Sequence, residues 1–204
     1  VELLDGLCNG SSLDSVDGIA YLNEGGEYRE TAGLTRVRDL ETLPWPHWPE
    51  GYLEVFWAAG KSAGVLTERD MPMIISRGCP YQCTFCSSPN MWTTRYVLRD
   101  ADDVIREIKT YIDRYAITSV QLYDLTAITK KRWAIDFCQR LLDEEINLNW
   151  SVPQGTRSEI LDEETLSMLK KTGCHYLVYA PESGSPRMLE KIKKRVTLDG
   201  LTKS

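Results

Sequence analysis

The sequence predicts an α/β protein built on a parallel sheet. Two observations carry that expectation: four short apolar runs, beginning at Met73, Ser119, Leu148 and Tyr176, and amphipathic helical stretches between them. Such alternation is the pattern of right-handed βαβ units. A third observation is that each run is followed by charged, polar or thiol-bearing residues. In an open doubly wound sheet and in part of a (β/α) barrel alike, ligands sit at the C-terminal strand ends, so those residues mark where chemistry is expected.

The first run, Met73-Ile74-Ile75-Ser76, reads as a buried strand feeding a loop at Gly78. Asp100 is placed to cap a helix whose Val104, Ile105, Ile108, Tyr111, Ile112 and Tyr115 share one face, with Asp102 and Asp103 at the positive end of its dipole. The second strand covers Ser119 to Tyr123. Trp133, Phe137 and Leu141, beside Ala134, Cys138 and Leu142, define the next helix face, followed by a third strand from Leu148 to Val152. A helix from Asp162 to Lys171 is stopped at Gly173. The fourth strand is Tyr176 to Tyr179, and Ser185 to Lys194 reads as a last helix.

Upstream, residues 1–40 read as short strands and turns, with an apolar run Gly18 to Leu22 and a turn through Asn23 to Glu27. Residues 41–70 form a linker. In its first part Pro44, Pro46 and Pro49 exclude helix, while Trp45, Trp48, Tyr52, Phe56 and Trp57 require a surface to pack on. Residues 71–204 are the βα region.

With 204 residues, 42% hydrophobic and 26% charged, and only 14 glycines and 9 prolines, the composition excludes disorder, collagen-like repeats and coiled coil. A net charge of −6 gives no electrostatic footprint for nucleic acid, which is not expected as a partner. No apolar run approaches the roughly 18 to 20 residues of a membrane span, and no signal segment opens the chain, so a cytoplasmic protein is expected. The first residue is Val1 rather than Met and the chain stops at Lys203-Ser204, shortly after a basic helical stretch, so it reads as part of a longer protein.

Six cysteines remain. Cys79, Cys83 and Cys86 fall within eight residues, and in a cytosolic protein such a cluster reads as metal-binding rather than as a disulfide framework. The loop offers three thiolates, whereas closed structural zinc sites take four ligands. No second knuckle accompanies them: His47 lies in the linker and His175 opens the fourth strand. A four-iron four-sulfur cluster on three thiolates leaves one iron open for a cofactor or substrate. The alternatives are a zinc site completed by a distant residue and unligated buried thiols. Cys138 and Cys174 read as small core residues, Cys8 has no assignment, and Lys191 to Arg195 reads as a solvated helix end with cations favoured by its dipole.

Cys-x3-Cys-x2-Cys with an aromatic before the last cysteine resembles the signature of the radical S-adenosylmethionine (SAM) superfamily. The resemblance covers residues 71–204. It implies Cys79, Cys83 and Cys86 as ligands of a 4Fe-4S cluster, an open iron chelated by the amino and carboxylate groups of SAM, and reductive cleavage to a 5′-deoxyadenosyl radical. Phe85 would lie beside the adenine. Glu182-Ser183-Gly184-Ser185 resembles the family element that meets the ribose or the methionine amino group, and Arg157 is suited to hold the methionine carboxylate bidentately. Asp124, at the end of the second strand, is a further SAM-pocket candidate, although the family often pairs it with a second acid where this chain has Leu125. Glu182 and Arg157 as solvated loop charges, or as partners of each other, are the competing reading.

Val16 to Tyr21, the turn through Gly25-Gly26, and Asp39-Leu40-Glu41-Thr42-Leu43-Pro44-Trp45-Pro46 resemble the end of the cobalamin-binding domain and linker of cobalamin-dependent radical SAM enzymes, the group that includes the anaerobic magnesium-protoporphyrin monomethyl ester cyclase. The fold this implies is the first four βα units of a partial (β/α)6 TIM-like barrel, incomplete at its C-terminus with an unpaired fourth strand, preceded by the tail of a Rossmann-like cobalamin-binding domain in residues 1–40. The implied function is SAM cleavage, with cobalamin held mainly by upstream residues, for methylation or oxidative cyclisation of a small-molecule substrate at an unactivated carbon. A low-potential donor such as flavodoxin or ferredoxin would supply the electron. A tRNA-type methylthiotransferase is the alternative within the superfamily. A non-catalytic zinc or iron-sulfur module is the alternative outside it.

Overall fold

In a computed structural model, which describes residues 2–33, 37–60, 69–157, 159 and 161–203, the chain divides into two units, Val1–Arg38 and Asp39–Ser204. The first unit holds a helix α1 (Glu2–Cys8) and a hairpin of β1 (Ala20–Leu22) and β2 (Tyr28–Glu30). The hairpin turn forms where expected, because Asn23 Oδ1 accepts from Gly25 N at 3.0 Å and Glu27 N at 2.9 Å. The helix was not expected. Its two turns are interrupted by Gly6 and leave Leu3, Leu4 and Leu7 exposed, so no buried stripe announces it.

In the second unit, Tyr52–Ala58 forms α2 in the segment expected to exclude helix. All three prolines precede it, Gly51 enters it at φ 77°, and Leu53 is buried against the core. The sheet then follows as β3 (Asp70–Met73), β6 (Ser119–Leu122), β7 (Asn149–Thr156) and β8 (Cys174–Tyr179), all parallel and ordered β3-β6-β7-β8. Strand order thus follows chain order without reversal, so these four strands contain no switch point. Within this sheet, among the described residues, β3 and β8 each pair on one side only.

One sheet face is apolar. Met71, Met73, Val120, Leu122, Trp150 and Val152 join the buried cluster with α4 (Ala101–Tyr115), α5 (Lys131–Asp143) and α6 (Glu163–Lys171). The alternate residues Asp70, Ser119, Gln121 and Ser151 are polar yet almost fully buried, and Gln121 Nε2 donates to Asp70 Oδ2 at 2.8 Å. Asp100 caps α4 through Asp102 N at 2.8 Å, as expected, and Asp162, where the next helix was expected to start, caps α6 through Thr165 N at 3.0 Å. Gly173 ends α6 at φ 90°, where a Cβ would stand 2.4 Å from the Leu148 carbonyl oxygen.

Three boundaries differ from expectation. The first strand lies earlier, at Asp70–Met73, because Pro72 is tolerated in a strand without a second neighbour. Its expected second half leaves the ladder: Arg99 Nη1 takes the Ile74 carbonyl at 2.9 Å and Asp124 takes the Ile75 amide. Ser76–Arg77 is instead a separate β4, paired antiparallel with β5 (Val97–Leu98). The third strand runs past Val152 through Pro153 to Thr156, with a register shift against β8 between Val152 and Thr156. The last expected helix is Pro186–Lys191 (α7), after which Lys193 and Arg195 adopt φ 56° and 52° and end it, before α8 (Leu198–Lys203).

Candidate functional site

The β4–β5 pair closes off the segment from Gly78 to Tyr96 as one excursion at the C-terminal side of β3. Gly78 starts it at φ 88°, so close to the opposing strand that a Cβ would meet the Arg95 carbonyl oxygen at 2.0 Å. Tyr96 fastens the other end by donating to the Ala127 and Thr126 carbonyls at 2.8 and 3.1 Å, and burial pushes its phenol up to about 12. Between these anchors lie Cys79, Cys83 and Cys86, all free of disulfides, the first two half-buried and the last exposed. Cys86 N donates to Cys83 O at 3.1 Å, which folds the two thiol-bearing residues into one turn. The short α3 (Ser88–Trp92) begins after it, and Ser88 N donates to Cys86 Sγ at 3.4 Å.

Three free thiols on one excursion, two half-buried and one exposed next to the exposed Phe85, fit a cluster ligated by three thiolates. Burial pushes the Cys79 thiol up, and metal coordination opposes that by deprotonating it outright. Among the described residues no three His, Cys, Asp or Glu side chains converge tightly enough for a single metal ion. A cluster does not require that convergence, since each iron takes its own thiolate. Beside the loop, Gln82, Leu189, Lys193, Arg195 and Leu198 line an open cleft of about 630 Å3.

The other candidates are distributed unevenly. Glu182, at φ 66°, and Ser183 follow β8 on an exposed to half-exposed turn. Glu182 Oε1 accepts from Lys194 Nζ at 2.9 Å, and that lysine is only 8% exposed, so Lys194 is not part of a solvated helix end as expected. Ser183 Oγ accepts from Ser185 N at 3.1 Å. Arg157 is 7% exposed and does not pair with Glu182. Its guanidinium lies over the Tyr81 ring, 3.6 Å from the centroid, pairs with Glu159, and donates to the Lys194 and Arg195 carbonyls at 2.8 and 2.6 Å.

Asp124 is also turned inward, at 2% exposure. It accepts from Ile75 N at 3.1 Å and from Ser76 N and Ser76 Oγ, each at 2.5 Å, bracing the turn between β3 and β4. Burial pushes its carboxyl up to about 6. Tyr81, Lys194 and Ser76 were missed by sequence reasoning. Only Tyr81, an aromatic inside the cysteine motif, carried a local signal. Cys138 is buried on α5, and Cys174 is half-buried against the same core. No helix among the described residues is long and apolar enough to cross a membrane.

The family described as the radical SAM superfamily matches residues 73–203. The chain is 30% identical over 196 residues to an uncharacterized methyltransferase of Pyrococcus horikoshii, covering 96% of this chain and 40% of that protein. It is 24% identical over 188 residues to the anaerobic magnesium-protoporphyrin IX monomethyl ester cyclase of Rubrivivax gelatinosus, covering 90% of this chain and 32% of that one. Among solved structures, the cobalamin-dependent SAM radical enzyme OxsB, with aqua-cobalamin and SAM bound, superposes with a TM-score of 0.72 at 22% identity, over 97% of this chain and 28% of that one. At that identity the likeness is one of fold. The chain spans less than half the length of these relatives. The cysteine loop at the end of β3 lies inside the matched region, and the chain belongs to the radical SAM superfamily.

Proposed function

We propose that this chain carries the SAM-cleaving part of a cobalamin-dependent radical SAM enzyme that methylates a small-molecule substrate at an unactivated carbon. The observation that carries the reading is the anchored excursion with Cys79, Cys83 and Cys86 at the C-terminal end of the first parallel strand, inside the family match. Held by Cys79, Cys83 and Cys86, a reduced cluster would supply the electron needed to split the sulfonium of SAM. Methyl transfer is favoured over oxidative cyclisation because the 30% identical relative is named a methyltransferase, whereas the cyclase relative is 24% identical. Cobalamin enters from the fold likeness to OxsB, which is cobalamin-dependent, with residues 1–40 read as the tail of its domain and residues 41–70 as the linker. The four strands are read as the first four of six in a partial barrel.

Within this reading the three cysteines hold the cluster. Phe85, 57% exposed, offers a ring face to the adenine. Glu182 and Ser183 present a carboxylate and a hydroxyl to the amino group and ribose of SAM, with Lys194 fixing the carboxylate until a cationic amine competes for it. Asp124 shapes the pocket from behind by holding Ile75 and Ser76. A low-potential flavodoxin or ferredoxin serves as donor.

Anaerobic reconstitution with iron and sulfide, followed by dithionite and SAM, is expected to yield 5′-deoxyadenosine, and Cys83→Ala is expected to yield none. A Cys83→Ala protein that still forms it overturns the assignment.

A further inference from the structure

Between α7 and α8, the backbone turn from Ile192 to Arg195 meets the cysteine loop from behind. Four successive carbonyls face inward there: Ile192 O accepts from Thr84 N at 3.0 Å, Lys193 O lies 3.9 Å from the Cys83 thiol, and Lys194 O and Arg195 O accept from Arg157 Nη2. This arrangement needs left-handed backbone at two non-glycine residues, Lys193 and Arg195, a conformation that persists only where surrounding contacts over-determine it. Arg157 supplies two of those contacts. Its guanidinium is 7% exposed, and its remaining face lies under Tyr81, midway between Cys79 and Cys83 in the motif.

We infer that Arg157 is a positioning residue for the cluster loop rather than a ligand of the SAM carboxylate. Its planar fork ties Tyr81 to the Ile192–Arg195 turn, and through them holds Cys79 and Cys83 at the separation a cluster requires. Its Nε and Nη2 donors are committed to Glu159 and two carbonyls, so that edge of the fork fixes the shape of the loop. Lysine cannot replace it, having neither a planar face nor a fork. The same turn carries Lys194, whose side chain holds Glu182, the proposed partner of the SAM amino group, through a separate contact. The inference rests on the proposed assignment of a cluster to this loop.

The test compares the anaerobically reconstituted chain with Arg157→Lys, Arg157→Gln, Tyr81→Leu and Tyr81→Phe, reading iron and sulfide per chain, the rate at which an iron chelator bleaches the cluster absorption, and the SAM Kd of the loaded protein by equilibrium dialysis. Circular dichroism confirms folding. Arg157→Lys, Arg157→Gln and Tyr81→Leu are expected to bleach about 10- to 100-fold faster, the range for lost outer-shell support of a metal site, with SAM affinity of the loaded fraction unchanged. Tyr81→Phe, which keeps the ring, is expected to restore the slow bleaching that Tyr81→Leu loses. Unchanged bleaching with weakened SAM binding in the Arg157 variants overturns the inference and returns Arg157 to the SAM carboxylate. If Arg157→Gln does not fold, Tyr81→Leu carries the test, since it leaves the hydrogen bonds of Arg157 in place. Failure of the unmodified chain to load any cluster refutes the proposed function instead.

Discussion

The helix layer over the sheet and the cysteine loop at its rim are held together by different physics. In the layer, Met71, Val104, Ile108 and Val152 have no exposed surface, and the contacts are apolar and close-packed. In the loop, every residue from Gln82 to Ser87 is exposed or half-exposed, and order comes from hydrogen bonds, a cation–π contact and two anchored ends. The layer resists change through buried area, which many residues share. The loop depends on a few directional contacts, each irreplaceable, so the same size of change should damage stability in one place and cofactor binding in the other.

The largest stability effect is expected in the layer. Ile108→Ala should cost about 2–5 kcal/mol in urea denaturation, the range for truncating a buried aliphatic side chain, and leave the cluster absorption of the folded fraction unaltered. A change in the cluster spectrum would break the separation between the two regions.

Asp124 lies at their boundary. Burial lifts its carboxyl from 3.8 to about 6, so the folded protein holds that proton more tightly than the unfolded chain. Its contribution is therefore fully present below about pH 4 and is lost as pH rises through about 6, a swing of about 3 kcal/mol. Asp124→Asn, which can still accept from the Ile75 and Ser76 amides, is expected to flatten that limb in denaturant melts taken between these pH values. A limb that persists in the variant would assign it to another group.

Gly78→Ala falls on the loop side. The left-handed backbone and the 2.0 Å approach to the Arg95 carbonyl force the β4–β5 pair apart, at a cost on the order of 1–3 kcal/mol. Iron loading should fall more than the melting temperature. The smallest effect is expected at the exposed Lys109–Glu144 pair linking α4 to the end of α5. Lys109→Ala should change stability by less than about 1 kcal/mol and lose even that in high salt.

The same contrast explains what was legible in advance. The faces of α4 and α5, the cap at Asp100, the helix start at Asp162, the stop at Gly173 and the three-cysteine motif are local patterns, readable because period and spacing are properties of neighbouring residues. The helix α2 is masked in the sequence by the prolines just before it, and β3 starts ahead of its apolar run because Pro72 is compatible with a strand that, among the described residues, pairs on one side only.

By itself, then, the sequence determined the alternation of strands and helices, the apolar helix faces and the thiol motif, all of which follow from local periodicity and spacing. Tertiary structure decided what the polar residues near that motif do. Arg157 meets Lys194 across 37 positions, Asp124 meets Ser76 across 48, and Cys83 meets Lys193 across 110. Partners so far apart are chosen by the packing of strands and turns, and no local pattern in the chain encodes that choice.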